Sequence, residues 1–286
     1  TGTNFGPANA GTSISVYYGP VSEPKKYDAT AGCSLTHAHR TVTCKTVAGV
    51  GANLKWQVEI EGQASIASSS TTKYIVPSIN GLSGDAMAAS GTTTYGGAAI
   101  SISGTNFGPS SHTEVAAQYG PPGSTEKYTA TGCAVISQTE ITCVTAPGVG
   151  KDLRWSVTVG AQVSTVFTSD TTAYVVPEVT DLSGDAVISP SITEGGSEIV
   201  ITGDYFGPLD TDDSDIVVKY GPLSEQDRYT ATSCSMVSAQ TKIICSTAPG
   251  VGANHKWHVQ IGLQHSNVLG SKTTKYIVPS INGLSG

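Results

Sequence analysis

Charge is scarce in this chain: only 13% of its 286 residues are Asp, Glu, Lys or Arg, and the formal net charge is -7. A chain this poor in cations has no basic footprint for nucleic acid and no pull toward an anionic membrane surface. Long apolar runs are missing too; none approaches the ~20 residues a membrane helix needs. A basic-then-apolar leader is absent. Asn-x-Ser/Thr sequons do not occur, so any attached sugar is expected to be O-linked. Neither Gly-x-Ser-x-Gly nor Cys-x-x-Cys occurs, which removes the local signatures of a serine hydrolase and of a zinc or dithiol site. What is abundant is Gly, with 33 residues, and Ser plus Thr, roughly a quarter of the chain. That mix fits turn-dense β structure better than helices, which favour Ala, Leu, Glu and Lys.

The sequence repeats itself. Gly-Thr-Asn-Phe-Gly-Pro at Gly2 returns at Gly104, and Gly-Asp-Tyr-Phe-Gly-Pro stands at Gly203. Each is followed by Tyr-Gly-Pro at Tyr18, Tyr119 and Tyr220, then by Tyr-x-Ala-Thr at Tyr27, Tyr128 and Tyr229. Two cysteines follow, then a Gly-Val-Gly turn, then Trp56, Trp155 or Trp257. Each unit closes on Thr-Thr-x-Tyr-x-Val-Pro, at Pro77, Pro177 and Pro279. A period of about 100 residues lets each unit hold its own core, like beads on a string. The expected divisions are 1–76, 77–176 and 177–278, with 279–286 opening a further repeat.

Within a unit the apolar residues alternate. Trp56, Val58 and Ile60 are interleaved with Lys55, Gln57 and Glu59, and Trp155, Val157 and Val159 follow the same rule. Period two with one wet face predicts antiparallel strands. Turn signals every 8 to 12 residues or so predict a sandwich. The run from Ile100 through Gly104-Thr-Asn-Phe-Gly108, the turn Thr145-Ala-Pro-Gly-Val-Gly150 and the start Pro177-Glu-Val-Thr-Asp-Leu-Ser-Gly184 together resemble IPT/TIG domains. These are the Ig-like repeats of plexins, of hepatocyte-growth-factor-receptor-type receptors and of fibrocystin-like proteins. The resemblance spans the chain three times and implies an all-β fold of three tandem immunoglobulin-like β-sandwiches of the E-set type. It leaves function open, because the family serves receptors, transcription-factor dimers and enzyme-attached modules.

Six cysteines stand at matching places in the three units, which pairs Cys33 with Cys44, Cys133 with Cys143 and Cys234 with Cys245. Ten or eleven residues between partners suits two facing strands of a hairpin. Disulfides imply an oxidising, extracellular setting.

The tryptophans, in phase with aliphatic neighbours, are expected to plug each core beside the disulfide rather than to serve as sugar platforms. Asp210, Asp212, Asp213 and Asp215 form the one dense acidic cluster and are weak calcium candidates, since the loop lacks the EF-hand Gly and terminal Glu. His37, His39, His255, His258 and His265 do not recur across the units and are expected at the surface. Ser68, Ser69, Ser70, Thr71, Thr72, Thr92, Thr93, Thr94, Thr171 and Thr172 are candidates for O-glycosylation. No catalytic set repeats, so neither an enzyme nor a cofactor is expected.

Gly2 aligns with Gly104, so the first unit lacks the roughly 27 residues that precede this point in the second. Pro279–Gly286 repeats Pro77–Gly84 letter for letter. From this phase the expectation is a window of a longer array, or an edge filled by a neighbouring molecule. The favoured function is a structural subunit of an extracellular filament or surface fibre that associates with itself head to tail. The alternative is an adhesin or receptor ectodomain that binds a protein or glycan; a module attached to a carbohydrate-active enzyme is less natural for three consecutive copies.

Overall fold

The computed structural model describes residues 1–7 and 11–283. It is all-β, with three single-turn 3-10 segments and one short α-turn at Asp185–Ile188. The last three residues of the expected further repeat, 284–286, lie outside the described residues.

The second and third repeats each form two facing antiparallel sheets. In the second repeat the strand Ala99–Thr105 lies between Ser78–Ser83 and Glu140–Val144, and Thr131–Ser137 closes the far side. The opposing sheet joins Tyr128–Thr129, Val115–Gly120, Leu153–Val159 and Gln162–Val163, and Phe167–Thr172 also pairs with Leu153–Val159. The third repeat copies both, from Glu178–Ser183 to Gln264–His265, except that the place of Phe167–Thr172 holds only an isolated bridge between His255 and Thr274. The first repeat has the second kind of sheet, built on Ile14–Gly19 and Leu54–Ile60. Its other sheet consists, among the described residues, of Cys33–His37 and Thr41–Cys44.

The alternation read from the sequence sets the burial. Leu153, Trp155, Val157 and Val159 are buried from one strand, against Ile100, Ile102 and Ile141 in the same core. Tyr-Gly-Pro ends its strand sharply. A Cβ at Gly120 would lie 2.0 Å from the Ser124 carbonyl, so only glycine lets the chain turn back so closely.

All three disulfides are formed, at Cys33–Cys44, Cys133–Cys143 and Cys234–Cys245. Each joins neighbouring strands of one sheet, so it staples a hairpin and leaves the union of the two sheets to packing. Closing so short a loop stabilises each repeat by about 3 kcal/mol in the chain-entropy model.

Trp155 and Trp257 are fully buried, stacked on Tyr119 and Tyr220 with ring centres 4.1 and 4.0 Å apart. Trp56 stacks on Tyr18 in the same way and packs against the core of Val16, Tyr18, Ala29 and Leu54, but it is only half-buried. It lines an open groove of about 670 Å³ with Phe5, Val42, Val58 and Ile66. In the second repeat the corresponding face is covered by the sheet containing Ala99–Thr105.

Candidate functional site: the junctions between repeats

The repeats are welded by a device that the structure builds twice. The Gly-Val-Gly turn before each tryptophan is held by three tyrosines. The Tyr27 hydroxyl donates to the Val50 carbonyl at 2.8 Å and accepts from the Val50 N–H at 3.0 Å; Tyr128 grips Val149 at 2.8 and 3.1 Å. A second pair, Tyr119 and Tyr174, join hydroxyls at 2.7 Å, and both reach the Ala146 carbonyl at the other end of the turn. Burial pushes the Tyr119 phenol up to about 12 and raises Tyr174 as well, so both stay neutral hydrogen-bonding groups at physiological pH. The Thr-Thr-x-Tyr motif supplies the last tyrosine, and its second Thr accepts the tryptophan N–H, at 3.0 Å for Trp155 and Thr172.

The valine so presented belongs to the next repeat. Val50 is 5% exposed and sits in the core of the second repeat; Val149 is 5% exposed and sits in the core of the third. The receiving surface is cut to admit it. A Cβ at Gly108 would lie 2.3 Å from Val50 Cγ1, and one at Gly207 would lie 2.3 Å from Val149 Cγ1. A Cβ at Gly160 would lie 2.6 Å from Val50 Cγ2, and one at Gly262 would lie 2.6 Å from the Gly150 Cα. Removing a valine side chain from water here is worth about 1.5 kcal/mol or more per junction.

Polar contacts fix the angle. The Gln162 amide accepts from the Gly51 N–H at 3.0 Å and donates to the Tyr74 carbonyl at 3.1 Å, and Gln264 donates to the Tyr174 carbonyl at 2.8 Å. Buried Gln240 of the third repeat accepts from Thr94 Oγ1 of the second at 2.5 Å. Lys26 pairs with Glu114 at 3.2 Å, and Lys127 with Asp215. Burial pulls the Lys127 ammonium down, but the bond to Asp215 and the pull of Tyr128 and Asp215 outweigh it, so its pKa lies above the ordinary lysine value.

The acidic cluster therefore faces a lysine on the preceding repeat. Asp212 accepts from the Ser214 N–H at 2.8 Å, Asp215 holds Lys127, and Asp210 lines the crevice of about 190 Å³ between the two repeats. Asp213 begins the 3-10 turn Asp213–Asp215. Among the described residues no group of three or more His, Cys, Asp or Glu is placed to share a metal ion.

Three glycosylation candidates are out of reach of any sugar. Thr92, Thr94 and Thr172 are buried, Thr94 against Gln240 and Thr172 against Trp155. Ser69, Ser70, Thr71, Thr72 and Thr93 are exposed, Ser68 and Thr171 half-buried. The histidines also divide. His37, His39 and His265 are exposed, whereas His255 is fully buried and His258 is 7% exposed, which corrects their expected surface placement. His255 occupies the place of Leu54 and Leu153, edge-on to Tyr220, Tyr229 and Tyr276, and neither ring nitrogen has a hydrogen-bond partner. Burial holds its pKa below the ordinary histidine value.

The knob valine, the glutamine and the lysine–acid pair escaped the sequence reading. Signals existed: Lys26, Lys127 and Arg228 each precede the recurring Tyr, and Gln63, Gln162 and Gln264 recur after the longest strand.

The model of the IPT/TIG domain matches residues 85–174 and 186–276, more than half of the chain. The chain belongs to the IPT/TIG domain family. Among curated proteins nothing matches. Among solved structures, the chain is similar to FdeC, an Escherichia coli adhesin, at 14% identity over 97% of this chain and 88% of that one, with a TM-score of 0.31. It is also similar to the surface glycan-binding protein PbSGBP-B from Prevotella bryantii, at 16% identity over 71% and 42%, with a TM-score of 0.39. SGBP-B from a xyloglucan utilization locus of Bacteroides uniformis shares 12% identity over 69% of this chain, with a TM-score of 0.26, and the chain spans 49% of its length. In this chain the Gly-Val-Gly turn of one repeat enters the core of the next.

Proposed function

We propose that the chain is a length of a rigid extracellular stalk or fibre, whose repeats divide at 1–76, 77–176 and 177–278, with 279–286 leading into another. The observation that carries this reading is that Val50 and Val149 are core residues of the repeat that follows their own. A residue shared between two cores removes the free hinge that a loose bead on a string would have. The disulfides support an oxidising location. Exposed Ser69, Ser70, Thr71 and Thr93 are where O-linked sugars would sit, and intact mass of the native protein tests that.

The reading keeps the covalent array and sets aside end-to-end association of unmodified copies, because the first repeat carries Glu61 at the place of Gly160 and Gly262. The second reading, an adhesin or receptor ectodomain, is served by the same rigid array; a ligand on the acidic loop of the third repeat would meet Asp210, Asp212 and Asp213, since Asp215 is held by Lys127. Small-angle scattering on the full chain tests the stalk. A rod profile with one maximum dimension, unchanged by salt, is expected; a profile requiring an ensemble of inter-repeat angles would overturn it.

A further inference from the structure

One side chain lies beneath the Gly-Val-Gly turn of each repeat. In the first two repeats it is a buried leucine, Leu54 or Leu153, and a Cβ at Gly51 or Gly150 would lie 3.8 Å from the leucine Cδ2. In the third it is the fully buried His255, and a Cβ at Gly252 would lie 3.4 Å from its Cε1 and 3.6 Å from its Nε2. An imidazole thus fills the seat of a hydrocarbon. Its ring centre stands 5.9 Å from that of Tyr220 and 5.5 Å from those of Tyr229 and Tyr276, and neither nitrogen has a hydrogen-bond partner.

The same three rings close the turn. The Tyr229 hydroxyl donates to the Val251 carbonyl at 3.0 Å and accepts from the Val251 N–H at 3.1 Å. Tyr220 and Tyr276 join hydroxyls at 2.6 Å; Tyr276 donates to the Ala248 carbonyl at 2.6 Å, and Tyr220 accepts from the Ala248 N–H at 2.8 Å. The Tyr276 N–H donates to the Gly252 carbonyl at 2.8 Å. His255 is therefore a common wedge behind both ends of the turn 248–252.

A neutral imidazole is tolerated in this cage, whereas an imidazolium brings a full charge and two donors that need partners. From Ile216–Gly221 it meets Tyr220, from Tyr229–Thr230 it meets Tyr229, and from the closing motif it meets Tyr276. A phenol offers no counter-charge in acid. Burial opposes the proton most, and Arg228, of like sign and itself bound to Glu225, opposes it too; only the backbone at Val251 and Gly252 favours it. His258, the other buried histidine of the repeat, differs: it bonds Asp227 at 3.1 Å and faces Lys219 and His265. We infer that the third repeat carries an acid-released latch: a proton on His255 drives the ring from beneath Gly252 and frees the turn 248–252, while Leu54 and Leu153 keep the other two turns shut. The opened turn accepts a proton that the closed one refuses, so opening grows as the pH falls below about 6.5. The latch lies within one repeat and holds whether or not the array is a rigid stalk.

Amide exchange on the full chain, disulfides intact and rates corrected for the intrinsic effect of pH, tests the latch. The N–H groups of Ala248, Val251 and Tyr276 report it, and those of Ala146, Val149 and Tyr174 report the same bonds in the second repeat. From pH 7 to pH 5 the opening constant of the first set rises at least about tenfold, as uptake of one proton allows, and that of the second stays within about twofold. His255→Leu removes the rise; His258→Ser, which installs the residue of the second repeat, leaves it. No rise in the wild type, or the same rise in His255→Leu, overturns the latch. A rise shared in equal measure by Glu198–Asp204 overturns it too, since the whole repeat would then be unfolding. Scattering at pH 7 bears on the stalk alone: flexible repeats there would sink that reading and leave the latch standing.

Discussion

The first and second repeats carry the same motifs in the same order, yet their tryptophans live differently. Trp155 lies at full burial between two sheets; Trp56 makes the same Tyr stack and the same bond to a Thr hydroxyl, and still faces an open groove. The local constellation therefore does not make the core. The strands Ser78–Ser83 and Ala99–Thr105 do, because a sandwich buries its inner face only when a second sheet lies across it.

The sharpest way to break the comparison is to remove both indoles. Trp155→Ala is expected to cost about 3 to 5 kcal/mol in its repeat, as for a large buried aromatic, and Trp56→Ala less than half of that. Hydrogen exchange of Leu153–Val159 and Leu54–Ile60 in the two variants checks it; equal losses would mean that Trp56 is as well packed as its counterpart.

Next comes the junction. Gly160→Glu gives the second repeat the residue of the first and is expected to cost about 1 to 3 kcal/mol of inter-repeat contact through overpacking. Scattering should then show a bend or hinge between the first two repeats, with the Gly262 junction unchanged.

The third repeat differs from both in its buried histidine, and here the expected change is a gain. His255→Leu restores the residue of its siblings and removes two unpaired buried nitrogens, worth about 1 to 3 kcal/mol at pH 7. The effect grows with acid. The folded-state pKa of His255 is depressed, so below about 6.5 the unfolded chain takes up a proton that the folded one refuses. Stability is thus full above that pH and falls as the pH drops toward the folded value. His258 is depressed by burial in the same sense, with Asp227 pulling the other way, so the leucine variant keeps part of the acid sensitivity. Exchange rates in Lys256–Ile261 at pH 7 and 5 measure both parts.

The smallest expected effect is electrostatic. Lys127→Ala should loosen the second junction by about 0.5 to 1 kcal/mol, since both partners keep about a quarter of their side-chain surface in water. Because the lysine pKa is raised, its contribution is full at neutral pH and fades only as the pH climbs through the raised value. A wild-type junction insensitive to 1 M salt would place its stability in Val149, Gln264 and the Gln240–Thr94 contact.

Much of this was legible in the chain, because strand alternation and turn residues act locally. The period of two in Trp155–Val159, the turn at Tyr-Gly-Pro and the spacing of Cys133 and Cys143 predict the strands, their reversals and the staples. The site was far less legible. His255 looks like a surface residue beside Lys256, and Glu61-Gly62 looks like a trivial variant of Gly160-Ala161, until a neighbouring repeat is placed against them. Thr172 looks like a sugar acceptor until Trp155 is seen donating to it.

Sequence alone determined which residues could extend, alternate and turn, and that the units repeat every hundred or so positions. Only the tertiary structure decided which extended segment becomes a strand, which tryptophan a core and which valine a joint. Those outcomes depend on a partner surface a hundred residues away, and a local pattern cannot carry that information.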